Sequence, residues 1–312
     1  MSSALMRSHR HFTLRLPDSV EAPPRRLVPA MLAVVIGLSS ALVFGAADFL
    51  GGIAAQRIAA IRVTALVSAT GFAVLLILLP LVGGEFSPSA VALGALSGVT
   101  GSIAIVLLYA SLAIGPMSIL SPLTAVVSAI VPLTAGLIRG EQLGPIGYVA
   151  IGIALVAIVL VGFIPEEHAV RPSAKGILMA IGSGAMIGAF LIIIDLTPSN
   201  SGIVPLVVNR GVAATIMFGV VGVVALSRRP SPGGWLPGLR LAIACGVVDA
   251  LANVGLLVGL RIGELSVVSV LTALYPAGTI ILAAIVLKER IAIVQYVGLV
   301  LAIAAAAMLA LS

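Results

Sequence analysis

The sequence predicts an all-α polytopic membrane protein of about ten transmembrane helices, built as two inverted five-helix repeats. Three observations carry that expectation. Of the 312 residues, 61% are hydrophobic and only 9% charged, whereas a soluble domain carries roughly 25% charged residues. The apolar residues fall in runs of membrane length without period-two alternation, which points to helices rather than a barrel. The chain also matches itself in one register, 148 positions apart.

A bilayer core of about 30 Å needs roughly 20 apolar residues in a helix. Residues 1–29 do not qualify. They carry Arg7, Arg10, Arg15, Arg25 and Arg26 with Pro17, Pro23 and Pro24, and they read as a disordered basic tail without the apolar core of a signal peptide. The first span, Met31–Gly52, runs into "GAADFLGG". The second, Ile61–Leu81, opens after "AAQR" and stops at "GGEFSP". The third, Ala90–Ala113, stops at "IGP". The fourth, Met117–Leu137, stops at "IRGEQLGP". The fifth, Ile146–Phe163, precedes "IPEEHAVRPSAKG", and the sixth, Gly176–Ile194, ends at "DLTPSNSG". The seventh, Val204–Leu226, ends at "SRRPSPGGW", and the eighth, Leu236–Leu260, ends at "RIGE". The ninth, Leu265–Leu287, ends at "KER", and the tenth is Val294–Leu311. Gly, Pro and charge clusters mark each boundary. No connection is long enough for a soluble catalytic domain.

The self-match aligns "LAIGPMSILSPLTAVVSAI" (112–130) with "LRIGELSVVSVLTALYPAG" (260–278). It pairs Gly115 with Gly263, Ser118 with Ser266, Ser121 with Ser269, Glu141 with Glu289, Tyr148 with Tyr296 and Gly98 with Gly246. Chance pairs Leu with Val in apolar sequence, but not glycines, serines and glutamates in one register. The units are residues 30–164 and 173–312. An odd number of spans per unit inverts the second copy, the arrangement of many secondary transporters, whose substrate site lies near the midplane between halves.

The glutamates that close the fourth helix of each unit ("GLIRGEQ" and "AIVLKER"), with the helix openings "IGPMSILSPL" and "IGELSVVSVL", resemble the EamA-like family of the drug/metabolite transporter superfamily. The resemblance covers Met31 to Ser312. It implies ten helices, a central cavity and movement of small metabolites or drugs, usually outward, across the cell inner (plasma) membrane. It also implies that both termini face the cytoplasm. Loop charge counts alone favour the opposite, because nine Lys/Arg fall on one side and Arg139 and Arg261 on the other.

Ionisable residues within spans cost about 2.5–3.5 kcal/mol each on insertion scales and mark cavities or partners. Asp249 lies at the centre of the eighth span, with Asn253 four residues on and hence on the same face. Its register partner in the first unit is Gly101, and that of Asn253 is Ile105. Arg210, beside Asn209 in the seventh span, needs a carboxylate, and Asp249 is the candidate. Two outcomes stay open. Paired, they form a neutral, structural unit; unpaired, Arg210 would take a substrate carboxylate and Asp249 or Asp48 its amine, as suits a zwitterion. Asp48 is either an interfacial carboxylate or a cavity residue, with Gly45, Gly51 and Gly52 giving room to a helix or ligand. Tyr109 and Tyr275 are cavity candidates. Asp195 reads as a helix-end residue. Glu141 and Glu289 read as structural, binding backbone donors at the next helix start. Pro122, Pro132 and Pro276 should kink their spans.

Nothing implies a cofactor, a metal or a nucleic-acid partner. There is no P-loop, the single Cys245 has no Cys/His companions, and no serine sits in a nucleophile elbow. The partners implied are a small-molecule substrate and the lipid bilayer. The reading is a secondary-active exporter of a small polar, amino-acid-like metabolite or drug, working by alternating access with proton coupling. Uptake or exchange by the same fold, a lipid-modifying enzyme and a non-transporting scaffold are the competing readings.

Overall fold

The computed structural model describes residues 27–112, 114, 117–163, 172–226, 234–288 and 290–311. Eleven α-helices make up the ten spans: α1 (Leu27–Ala55), α2 (Ala60–Val82), α3 (Pro88–Leu112), α4 (Met117–Ile138), α5 (Pro145–Gly162), α6 (Ala174–Asp195), α7 (Val204–Leu226), α8 (Leu236–Ile262), α9 (Leu265–Thr272), α10 (Tyr275–Leu282) and α11 (Ile293–Ala310). Ten segments are long and apolar enough to cross a bilayer, with α9 and α10 sharing one. The outer surface agrees with that. Ile77, Leu81, Leu178, Val300 and Ile303 are 65–79% exposed, a cover no soluble monomer carries in such quantity. Helix α1 starts at Leu27, so it takes in the last three residues of the stretch read as tail; the rest of that tail lies outside the described residues.

The repeats interlock. The first helix of each unit packs into the other unit: α1 on α8, α9 and α10, and α6 on α3 and α4. In the same inverted sense α3 packs on α7, and α8 on α2. Helices α5 and α11, the last of each unit, pack together. The register-matched glycines explain two of these crossings. A Cβ on Gly98 would lie 2.6 Å from the Asn209 carbonyl oxygen of α7, and one on Gly246 would lie 2.8 Å from the Val67 carbonyl oxygen of α2. Small residues bring membrane helices to backbone contact, where van der Waals packing replaces the hydrophobic drive absent in lipid.

The interior prolines act unequally. Pro122 and Pro132 lie within an unbroken α4, and Pro80, not singled out from the sequence, lies within α2. The ninth span is interrupted instead. Helix α9 stops at Thr272, and α10 restarts at Tyr275 with Pro276 in its first turn. That is where a residue without an N–H costs least. The span then widens into a π-helical turn, Ala283–Leu287, and ends at Lys288 with φ 57°.

The two ends of the bundle differ. Near the end where α1 starts (the Leu27 end), Leu191, Ile194, Leu206, Leu257, Leu260 and Val268 belong to one buried apolar cluster with Leu75 and Ile203. Polar contacts cover it. Arg139 pairs with Asp195 at 2.7 Å. The Arg261 guanidinium donates to the carbonyls of Thr197 and Pro198 and to the Thr197 hydroxyl. Asn200 donates to Glu85, whose own N–H donates to the Asn200 carbonyl. The end where α1 finishes (the Ala55 end) leaves Asp48, Gly52 and Ala55 exposed along one side of that helix.

Candidate transport site

The eighth span carries "CGVVDALANVG" because Asp249 and Asn253 face inward together. The Asn253 side-chain amide donates to the Asp249 carbonyl at 2.8 Å and to its Oδ1 at 3.4 Å. Arg210 reaches Asp249 Oδ2 from α7 at 2.5 Å. Both side chains are mostly buried, with exposures of 13% and 17%. The paired alternative is therefore the one found, and Arg210 is not a free cation awaiting a substrate carboxylate. The pair is incompletely satisfied: Arg210 Nε has no hydrogen-bond partner, and Asp249 Oδ2 has none beyond the charge contact itself, among the described residues. Gly71 makes the reach possible. A Cβ there would lie 3.5 Å from Arg210 Cδ, so anything larger than alanine would press on the arginine stem.

These residues line a cavity of about 170 Å³ between the repeats. Its wall also takes Phe44 from α1, Ser68 from α2, Ser102 from α3, Ile187 and Phe190 from α6, and Asn209 and Met217 from α7. Gly101 and Ile105 belong to the wall as well. They are the register partners of Asp249 and Asn253, so the inverted symmetry brings matching positions to one space. The second repeat supplies the polar groups, and the first supplies room: nothing lies within 4 Å of a Cβ on Gly101. Asn209 is buried and donates to Ser97 Oγ at 2.9 Å, which fixes the amide of α7 against α3.

Asp48 is not in that wall. It lies one turn beyond Phe44 on the same face of α1, toward the Ala55 end. Neighbouring contacts orient it. Gly45 meets α10, and the Ala47 carbonyl accepts from the Cys245 thiol of α8. Val35 and Ser39, on the opposite stripe, face outward and are exposed. Asp48 thus points into the gap between α8 and α10, where it is exposed and has no hydrogen bond or ion pair among the described residues. Asp48 therefore lies on the inward face of α1 near its Ala55 end, outside the cavity wall.

The other sequence candidates scatter. Tyr275 sits at the start of α10 and is not part of the cavity wall. The side chain of Tyr109 and the whole of Glu289 lie outside the described residues. Glu141 accepts from the N–H groups of Leu265 and Ser266 at 2.8 and 3.0 Å. These open α9 in the other repeat, and not the helix that follows Glu141 in the chain. Ser68, Ser102, Phe44 and Phe190 were missed, since isolated serines and phenylalanines in apolar helices carry no pattern. Gly101 and Ile105 were within reach through the register.

A family model described as "EamA-like transporter family" matches residues 31–163 and again 174–311. A solved crystal structure, described only as that of a protein, superposes with a TM-score of 0.67 at 17% identity, covering 88% of this chain and 97% of its own. That likeness concerns the fold. No curated protein matches the sequence significantly.

Proposed function

The chain belongs to the EamA-like transporter family, and from that premise we propose that it is a secondary-active exporter of a small, amine-bearing polar metabolite, amino-acid-like in chemistry, or a drug of that kind. Members of the family are transporters and not enzymes, and ten apolar helices make this a multi-pass membrane protein. The proposed location is the inner (plasma) membrane. Alternating access would rock the interlocked repeats around the cavity at their junction.

One observation carries the choice of substrate class. Arg210 and Asp249 neutralise each other, and Asp48, on the inward face of α1, has no hydrogen bond or ion pair among the described residues. A lone carboxylate within a span favours a cationic group as its partner. A proton can take the same place once the amine has left, which would couple export to proton entry. The unmet polar atoms of the Arg210–Asp249 pair give the rest of a polar solute hydrogen-bonding positions when the cavity fills.

The test compares metabolites in the medium of cells that express wild-type protein, Asp48→Asn at equal membrane level, or vector alone. Export predicts a small set of amine-bearing solutes that accumulates outside with wild type only, and an Asp48→Asn level at least tenfold lower. Solutes depleted from the medium by wild type would establish uptake instead. Profiles identical in all three cultures would remove the export reading and favour a scaffold. Because Asp48 has no hydrogen bond or ion pair among the described residues, Asp48→Asn is expected to keep its melting temperature within about 2 °C of wild type, the scale of a surface substitution.

A further inference from the structure

We infer that Glu141 is a releasable latch between the two repeats, holding the Leu27 end shut by capping α9 and letting go when that end opens. The inference rests on the transporter reading only in requiring that the ends open in turn.

The sequence builds the latch locally. Helix α4 ends in a Schellman turn: the Glu141 N–H donates to the Gly136 carbonyl and the Gly140 N–H to the Leu137 carbonyl, with Gly140 at φ 95°. That left-handed residue swings Glu141 back over the helix end. Gly136 supplies the seat, because a Cβ there would collide with the Glu141 carboxylate. So "GLIRGE" encodes a seat, a turn and a carboxylate in six residues.

The partner lies 124 residues away, in the inverted repeat. Helix α9 has no side-chain cap of its own; Glu264 stands at the N-cap position without making that bond. Both Glu141 oxygens are used, one on the Leu265 N–H and one on the Ser266 N–H. A carboxylate on a helix N-terminus gains from charge-assisted bonds and from the helix dipole together. These bonds cannot persist if the repeats separate here, since they join α4 of one to α9 of the other. Val268, fully buried in the apolar cluster just inside the seal, lies one turn along the same α9. Freeing the start of α9 frees the wall of the plug.

A thiol at position 268 reports the event. The full-length protein in detergent, with Cys245→Ser and Val268→Cys, is treated with a charged maleimide and the labelling rate measured. Adding Glu141→Gln is expected to raise the rate at least about tenfold, the scale of one lost charge-assisted hydrogen bond. Gly136→Ala, which evicts the carboxylate and leaves its charge intact, is expected to do the same. A second reporter, Ala154→Cys, is equally buried where α5 meets α11 and is expected to stay protected. An unchanged rate at position 268 in both variants overturns the latch. So does an equal rise at positions 268 and 154, which would mean general loosening. The readout needs no substrate, so its failure is separate from a failure of the export assay.

Discussion

Arg210→Met is expected to abolish transport and to cost the protein roughly 3–5 kcal/mol, the penalty for leaving one member of a buried pair alone. The exposures of 13% and 17% leave little water to take over the solvation of Asp249. Asn253 offsets only part of the loss, because its amide reaches Oδ1 at a long 3.4 Å. The informative variant is the double one, Arg210→Met with Asp249→Leu. Replacing both charges with apolar side chains of similar size is often neutral or stabilising. The double variant is therefore expected to recover the melting temperature lost by the single one while remaining inactive in the export assay. Recovery of stability together with full transport would show that the pair only holds α7 to α8. Thermal unfolding in detergent beside the metabolite profile separates the two roles.

Gly45→Ala is expected to lower the melting temperature strongly, and Gly52→Ala, the same change seven residues on in the same helix, to leave it unchanged. A Cβ on Gly45 would stand 2.6 Å from Gly278 Cα and from the Thr279 nitrogen, all backbone that no rotamer change can move. Helix α1 would have to withdraw from α10, stretching the bond from the Thr279 hydroxyl to the Gly45 carbonyl, now 3.1 Å. Overpacking of this kind costs about 1–3 kcal/mol for one methyl, and Gly45→Val is expected to prevent recovery of a monodisperse protein. Nothing outside its own helix lies within 4 Å of a Cβ on Gly52, which is exposed. Equal melting temperatures for the two alanine variants would refute the backbone contact between α1 and α10.

The same stretch shows where sequence reasoning stops. In "GAADFLGG" three glycines look equivalent. In the structure a Cβ on Gly45 would strike the backbone of α10, one on Gly51 would meet the Cys245 sulfur, and one on Gly52 would meet nothing outside its own helix. Asp48 among them could be placed in a span from its neighbours alone. Whether it faced lipid, a partner or an opening depended on how α1 turns against α8 and α10.

Local chemistry determined much of this protein. Hydrophobic length and charge breaks set the ten spans, because a bilayer demands runs of apolar helix whatever their partners. The 148-residue register set the inverted duplication and brought Gly101 to the same cavity as Asp249. The Gly140 turn set the direction of Glu141. Three things were decided only by tertiary structure. Arg210 pairs with Asp249, Glu141 caps a helix in the other repeat, and the ninth span breaks before Pro276 while α4 tolerates two prolines. Each depends on the rotation of one helix against another far away in sequence. In lipid that rotation is settled by close backbone packing and by the satisfaction of polar groups across helices, which no single span contains.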